Sequence, residues 1–319
     1  MIYSETLTGL AGYFSDTDTE HNMKKTYGII LILFSSLLFA SYGVWAKLIG
    51  DGMDPFFQGW SRAVIISLAL LPFLYYKKLI VPIKREHWKW FAIFLFFTAG
   101  TQAPLFYAFT HMDIGSATLL FFVSMLLTMY TVGFFFLGEQ MSRIKLASFV
   151  LACVGMYFIF SFSLVAFTLL AALMAMLNGV ASGGEISFSK KFSDSYSTLY
   201  ITWLSWIAIL ITNAPISILL NENIILPSLD MVWVWQLGYT IASMLAFWLI
   251  IEGLKYVEAG VGGLLGLLEI AFAVLLGIVL FNEELTTKVI IGSALILIAA
   301  SLPHLKELLK LKKVNSETI

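Results

Sequence analysis

The chain has 319 residues, of which 60% are hydrophobic and 12% charged, with a formal net charge of -1. Soluble domains carry about 25% charged residues, so this is membrane-protein composition, and the near-neutral balance speaks against a nucleic-acid partner. Cys153 is the single cysteine, which excludes an internal disulfide; in its apolar run it reads as a buried, inert thiol.

Residues 1–22 carry Glu5, Asp16, Asp18 and Glu20 but no lysine or arginine, unlike the basic start of a secretory signal. Met23-Lys24-Lys25 is a serviceable alternative start, so this leader reads as a disordered tail or a misassigned start. Ten apolar spans follow, at about 27–47, 57–76, 89–109, 113–137, 143–162, 165–189, 197–219, 231–254, 258–281 and 287–303. Linkers are short, with Ser161-Phe162-Ser163 barely a turn, and Pro104, Pro215 and the Gly260–Gly266 run are read as interrupting their helices. Trp88 and Trp90 at one face, with Trp233 and Trp235 at the other, suit interfacial belts.

Ten spans with the N-terminus inside place every basic residue on the cytoplasmic side except Lys47, Lys288 and the intraspan Arg62. Nine or eleven spans break that segregation. The expected fold is therefore an all-α polytopic membrane protein of the cell (inner) membrane, with both termini cytoplasmic.

A pattern repeat divides the spans. FFVSMLLTMYTVGFFFLGEQMS at 121–142 returns as LGLLEIAFAVLLGIVLFNEELT at 265–286, each copy ending in an acidic corner. Ser142 and Thr286 stand where the next helix needs an N-cap, with the corner acids near its positive end. The expected organisation is a first repeat over 23–162, a second over 163–305, and a basic tail over 306–319. Five spans per half is an odd number, so the halves are inverted and a substrate site falls near midplane between them.

These features resemble the drug/metabolite transporter superfamily, specifically EamA-type permeases. The resemblance rests on Leu137-Gly138-Glu139, Arg62 early in the second span, Gly253-Leu254-Lys255-Tyr256-Val257, and Glu269 fourteen residues before Glu283. The family often has Glu-Pro at the last position, where this chain has Glu269-Ile270, and the first copy has Met125 in place of the acid. The resemblance implies secondary transport of small metabolites, often amino acids or related compounds, in either direction.

Charged residues inside spans are expensive and mark function by default. Glu269 lies near midplane behind a glycine run whose Gly262-x-x-x-Gly266 spacing lets helices approach; it is a substrate or proton site, or a helix-holding hydrogen bond. Glu185 follows Ala181-Ser182-Gly183-Gly184, small residues expected to open ligand space, although pairing with Lys190 and Lys191 is the competing reading. A choline-permease branch of the superfamily has a similar small-small-Glu sequence in its sixth span. Arg62 pairs an acid or helix carbonyls, or else binds a substrate carboxylate. Tyr42, Trp45, Tyr107 and Trp248 are candidate cage aromatics for an amine. Glu252 and Lys255 form a local ion pair by their spacing.

No phosphate-binding G-x-x-x-x-G-K-[ST] motif is present, and His21, His87, His111 and His304 are scattered, so no nucleotide, metal or other cofactor is expected. The expected function is secondary transport, without enzymatic activity, of a small amine-bearing metabolite by alternating access, the same acids also suiting proton coupling. A choline or quaternary-ammonium permease is the alternative within the superfamily. A membrane-embedded enzyme acting on lipid-linked substrates is the rival from another class. The lipid bilayer is the other partner, and the oligomeric state is open.

Overall fold

The computed structural model describes residues 23–112, 114–160, 169–282 and 286–317. The acidic leader, the Ser161–Ser163 linker and Glu283 and Glu284 of the second corner lie outside the described residues. All regular structure among the described residues is helical. That is what a chain in lipid requires, because only helices satisfy every backbone group within a single segment.

The helices, in order, are α1 (residues 23–40), α2 (Tyr42–Ile49), α3 (Pro55–Tyr76), α4 (Trp88–Ala99), α5 (Ala103–His111), α6 (Ile114–Phe136) and α7 (Arg143–Phe160). They continue with α8 (Leu169–Lys190), α9 (Thr198–Leu219), α10 (Met231–Leu254), α11 (Ala259–Gly266), α12 (Leu268–Phe281) and α13 (Thr287–Glu317). Among the described residues, eight helical stretches are long and apolar enough to cross a bilayer, and Thr287–Pro303 is a shorter apolar helix. Phe34, Leu68, Phe96, Phe135, Leu173, Ile211 and Val279 are exposed on their outer faces, where lipid rather than water is the solvent.

Corresponding elements of the two halves match closely. Helices α3 and α9 each have 22 residues, with Pro72 in one and Pro215 in the other at the same position. Both helices run on through their prolines, and the glycine run is itself helical, so neither Pro215 nor Gly260–Gly266 breaks its span as the sequence suggested. The breaks fall beside them, at Gly100–Gln102 before Pro104 and at Leu267 after the glycines. Helix α3 is followed by Lys78 at φ 53° and α9 by Asn221 at φ 54°; α6 is followed by Gly138 at φ 72° and α12 by Asn282 at φ 53°. Left-handed residues just past a helix end close its last turn, and glycine and asparagine adopt that conformation most cheaply.

Packing repeats the same exchange. Helix α3 packs on α9, and α7 on α13. Helix α8 packs on α6, α4 and α5, while α1 binds α10 and α11 through Ser35 Oγ to the Ala246 carbonyl at 2.7 Å and Ser36 Oγ to the Leu265 carbonyl at 3.3 Å. The sixth span thus meets the third and fourth as the first meets the eighth and ninth. Two inverted repeats produce this pairing.

Ser142 and Thr286 do cap α7 and α13, accepting from Lys145 N at 3.3 Å and Val289 N at 3.4 Å. Glu139 does not serve α7, as its position in the sequence suggested. It reaches across to α11 and accepts from Ala259 N at 2.6 Å and Gly260 N at 3.4 Å. Trp88 is exposed, as a place in an interfacial belt requires, but Trp233 is buried against Phe57 in an aromatic cluster with Met53 and Tyr239.

Candidate functional site

A cavity of about 540 Å³ lies between the halves, walled by α1, α2, α3, α5, α6, α8, α10, α11 and α12. Three interrupted spans meet it. The turn at Ser41 separates α1 from α2, Thr101 and Gln102 of the α4–α5 break face it, and the Leu267 turn brings Glu269 to it in the first turn of α12. Interrupted helices at a transporter midplane offer free backbone ends and short dipoles to a bound solute, and the start of a helix favours an acid.

Of the residues singled out from sequence, Glu185, Glu269, Arg62 and Tyr42 line this cavity together. Glu185 is 6% exposed and accepts a hydrogen bond from Ser205 Oγ. It is not neutralised by the nearby lysines: Lys190 donates to Glu139 at 3.0 Å and to the Val257 carbonyl at 2.6 Å, and Lys191 donates to the Phe136 carbonyl at 2.9 Å. Glu269 is half-buried and has no hydrogen-bond or ion-pair partner among the described residues. Arg62 is 5% exposed and pairs with no acid among the described residues; its guanidinium lies over the Tyr239 ring at 3.7 Å, and Nε and Nη1 have no acceptor there.

The other aromatic candidates are placed elsewhere. Trp45 donates to Ser41 Oγ at 3.0 Å and packs on Trp235, and Tyr107 stacks on His111 at 4.0 Å. Trp248 donates to Thr198 Oγ1 at 3.1 Å, and that hydroxyl bonds Glu252, which also pairs with Lys255 at 2.9 Å. None of the three side chains is part of the cavity wall.

Of the small residues before Glu185, Ser182 lines the cavity, but the glycines do not open ligand space as expected. A side chain on Gly179 or Gly183 would strike α6 at Phe121, Ser124 and Met125, and one on Gly184 would strike the Phe97 ring. These glycines let α8 seat against α6 and α4, which fixes the carboxylate of Glu185. Open space lies instead at Gly266, where a methyl group would meet nothing within 4 Å and the cavity begins.

Several wall residues carry a signal that could have been read in the sequence, namely polar side chains inside apolar runs: Gln58, Gln102 and Asn178. Gln236, buried just behind, donates to the Gln58 carbonyl at 2.9 Å and to Ser61 Oγ at 2.7 Å. Gln58, Ser61 and Arg62 share one face of α3, and Gln236 and Tyr239 one face of α10, so this clamp sets the Arg62–Tyr239 contact one turn further on.

The sequence profile of the EamA-like transporter family matches residues 26–161 and, separately, residues 169–302. The chain belongs to the EamA-like transporter family. No curated protein matches it. A solved structure titled only as the crystal structure of a protein superposes with a TM-score of 0.74 at 18% identity, over 88% of this chain and 97% of the other; that likeness speaks for the fold alone. As an EamA-like transporter, this is a multi-pass membrane protein of the drug/metabolite transporter superfamily that handles a small molecule. The cavity sits at the junction of its two matched repeats. Among the described residues no cluster of three or more His, Cys, Asp or Glu side chains is arranged to hold a metal ion.

Proposed function

We propose that the protein is a secondary active transporter of the cell membrane that moves a small amine-bearing metabolite, an amino acid or related compound, by alternating access. In this reading α7 and the Thr287–Pro303 part of α13 join the eight longer helices to give ten spans in two inverted halves, 23–162 and 163–305. Residues 1–22 are then a leader outside the repeats, 306–319 a basic tail, and both termini are cytoplasmic, the side to which the positive-inside rule assigns the loop lysines.

One observation carries the substrate class: the cavity wall holds two carboxylates, Glu185 and Glu269, and neither is paired with a basic residue among those described. An acid in a low-dielectric wall is relieved by a bound cation or by a proton, so amine binding and proton coupling are two uses of the same groups. Tyr42 and Phe39 add aromatic rings worth about 0.5–2 kcal/mol each to an ammonium, whereas a face of Tyr239 is already taken by Arg62. Trp45, Tyr107 and Trp248 act behind the wall, if at all. Those aromatic faces also favour the second reading, a permease for choline or another quaternary ammonium compound. An enzyme is supported less, since the family whose profile matches both halves is a transporter family.

The test is counterflow in proteoliposomes with radiolabelled amino acids and amines. Tracer should accumulate against a preloaded substrate, and Glu185→Gln should weaken amine binding about tenfold, the order of one charge-assisted contact. Tight binding of a dicarboxylate or phosphate ester, unmoved by Glu185→Gln, overturns the reading.

A further inference from the structure

The two halves bring unlike chemistry to matching places. Counting along α3 and α9 from their aligned starts, Pro55 and Thr198, Arg62 stands where the second half has Ser205. The same offset of the repeats aligns Tyr42 with Glu185, and all but Ser205 line the cavity directly. Exchange of the halves therefore relates one corner, Tyr42 with Arg62, to another, Glu185 with Ser205. In the second corner Ser205 donates to the carboxylate of Glu185. In the first the charge has the opposite sign, and no described acid answers it.

We propose that Arg62 is an anion subsite, so that the ligand of this cavity is a zwitterion whose carboxylate lies at Arg62 and whose amine lies at the acids. This rests on the reading that the cavity is the substrate site. A guanidinium presents two faces and a rigid planar fork of N–H donors. Tyr239 covers one face of Arg62 at 3.7 Å, and no acceptor among the described residues meets its edge. Burying an ion without a partner is costly, and a carboxylate is the group whose two oxygens match that fork. The Gln236 clamp on Gln58 and Ser61 already holds α3 against α10, and the contact with Tyr239 uses only a face of the guanidinium, so its N–H edge is left for a ligand. A permanent cation would leave Arg62 unpaired, and a dicarboxylate would bring a second negative charge towards Glu185 and Glu269. A zwitterion with one charge of each sign satisfies both corners.

The decisive comparison alters the ligand first and the protein second. Purified full-length protein is titrated, with thermal shift and competition as readouts, against the twenty L-α-amino acids, glycine betaine and choline. The best binder is then compared with its methyl ester, which keeps the amine, and its N-acetyl derivative, which keeps the carboxylate. The wild type should bind the zwitterion about tenfold or more tighter than either derivative, as expected for losing one charge-assisted contact. Arg62→Gln should weaken the zwitterion to the level of the methyl ester and leave the ester unchanged, with Arg62→Lys intermediate. Ester or choline binding as tight as the zwitterion, or no zwitterion bound at all, overturns the subsite; the first outcome leaves the amine reading standing. Preference for the N-acetyl derivative over the zwitterion, lost in Arg62→Gln, overturns the amine reading and keeps the subsite. Should Arg62→Gln fail to fold, the ligand series on the wild type decides alone.

Discussion

Glu139 and Lys190 meet at 3.0 Å across the junction of the two repeats. Glu139 comes from the corner that ends the fourth span, and Lys190 from the last residue of α8. The same carboxylate takes the first backbone N–H groups of α11, and the same ammonium takes the Val257 carbonyl just before it. Two side chains so tie three elements together at the face away from Ala46, Pro55 and Phe109 of the cavity. On the proposed alternating-access reading this tie is one that the cycle must break, and its strength sets how often the other state is visited.

The tie should be asymmetric in its response to mutation. Lys190→Met removes one ion pair and one hydrogen bond, whereas Glu139→Gln also weakens the cap on α11. Both side chains are largely buried, at 10% and 20% exposure, so Glu139→Gln should cost about 1–3 kcal/mol, seen as a lower unfolding temperature in detergent. The charge swap of Glu139→Lys with Lys190→Glu should not restore stability, because lysine cannot accept from Ala259 N. Full recovery in the swap would show that the pair acts by charge alone.

Glycine positions offer a second contrast. Gly183→Ala would drive a methyl group into the α6 backbone at Met125, and Gly179→Ala into Phe121. Overpacking of this kind costs about 1–3 kcal/mol, so both variants should reach the membrane at reduced level and melt earlier. Gly266→Ala meets nothing within 4 Å and should fold normally while narrowing the cavity. Expression by fluorescence-detected gel filtration separates the two classes; equal loss in all three variants would contradict the packing described.

How much of the molecule is legible in its sequence depends on range. Apolar runs and lysine placement make the helices legible, and the acidic corners disclose the repeat, because these signals are local. The Pro72–Pro215 and Lys78–Asn221 correspondences are equally local, but no acid marks them within their runs. What Glu139 holds is not legible. Its partners lie in the second half, and nothing in Leu137-Gly138-Glu139 distinguishes capping α7 from capping α11. Glu185, Glu269, Arg62 and Tyr42 stand out as charges or rings within spans and do share one wall. Trp45, Tyr107 and Trp248 stand out for the same reason and do not, because ring type says nothing about which face of a helix meets the cavity.

The loop lysines predict an orientation. Reporter fusions after residues 82, 192 and 313 should read cytoplasmic, and those near 52, 112 and 225 external, since that arrangement explains the loop lysines. A cytoplasmic signal at 225 would sink the ten-span arrangement.

Glu269 provides the sharpest separation of roles. Ser205 engages Glu185, but no described side chain hydrogen-bonds or ion-pairs with Glu269, which sits beside the Leu267 turn and the open space at Gly266. A carboxylate that only held helices together would have a partner to hold. Glu269 is therefore expected to exchange protons or cations during the cycle rather than to support the fold. Glu269→Gln keeps the shape and removes the charge, so protein level and unfolding temperature should stay near wild type. Uphill accumulation driven by an imposed pH gradient should vanish, while exchange of tracer for preloaded substrate, which needs no net driving force, should persist. Parallel proteoliposome assays read both quantities from one preparation. Disappearance of the variant from the membrane would favour a structural role, and unchanged accumulation under the pH gradient would remove Glu269 from the coupling altogether.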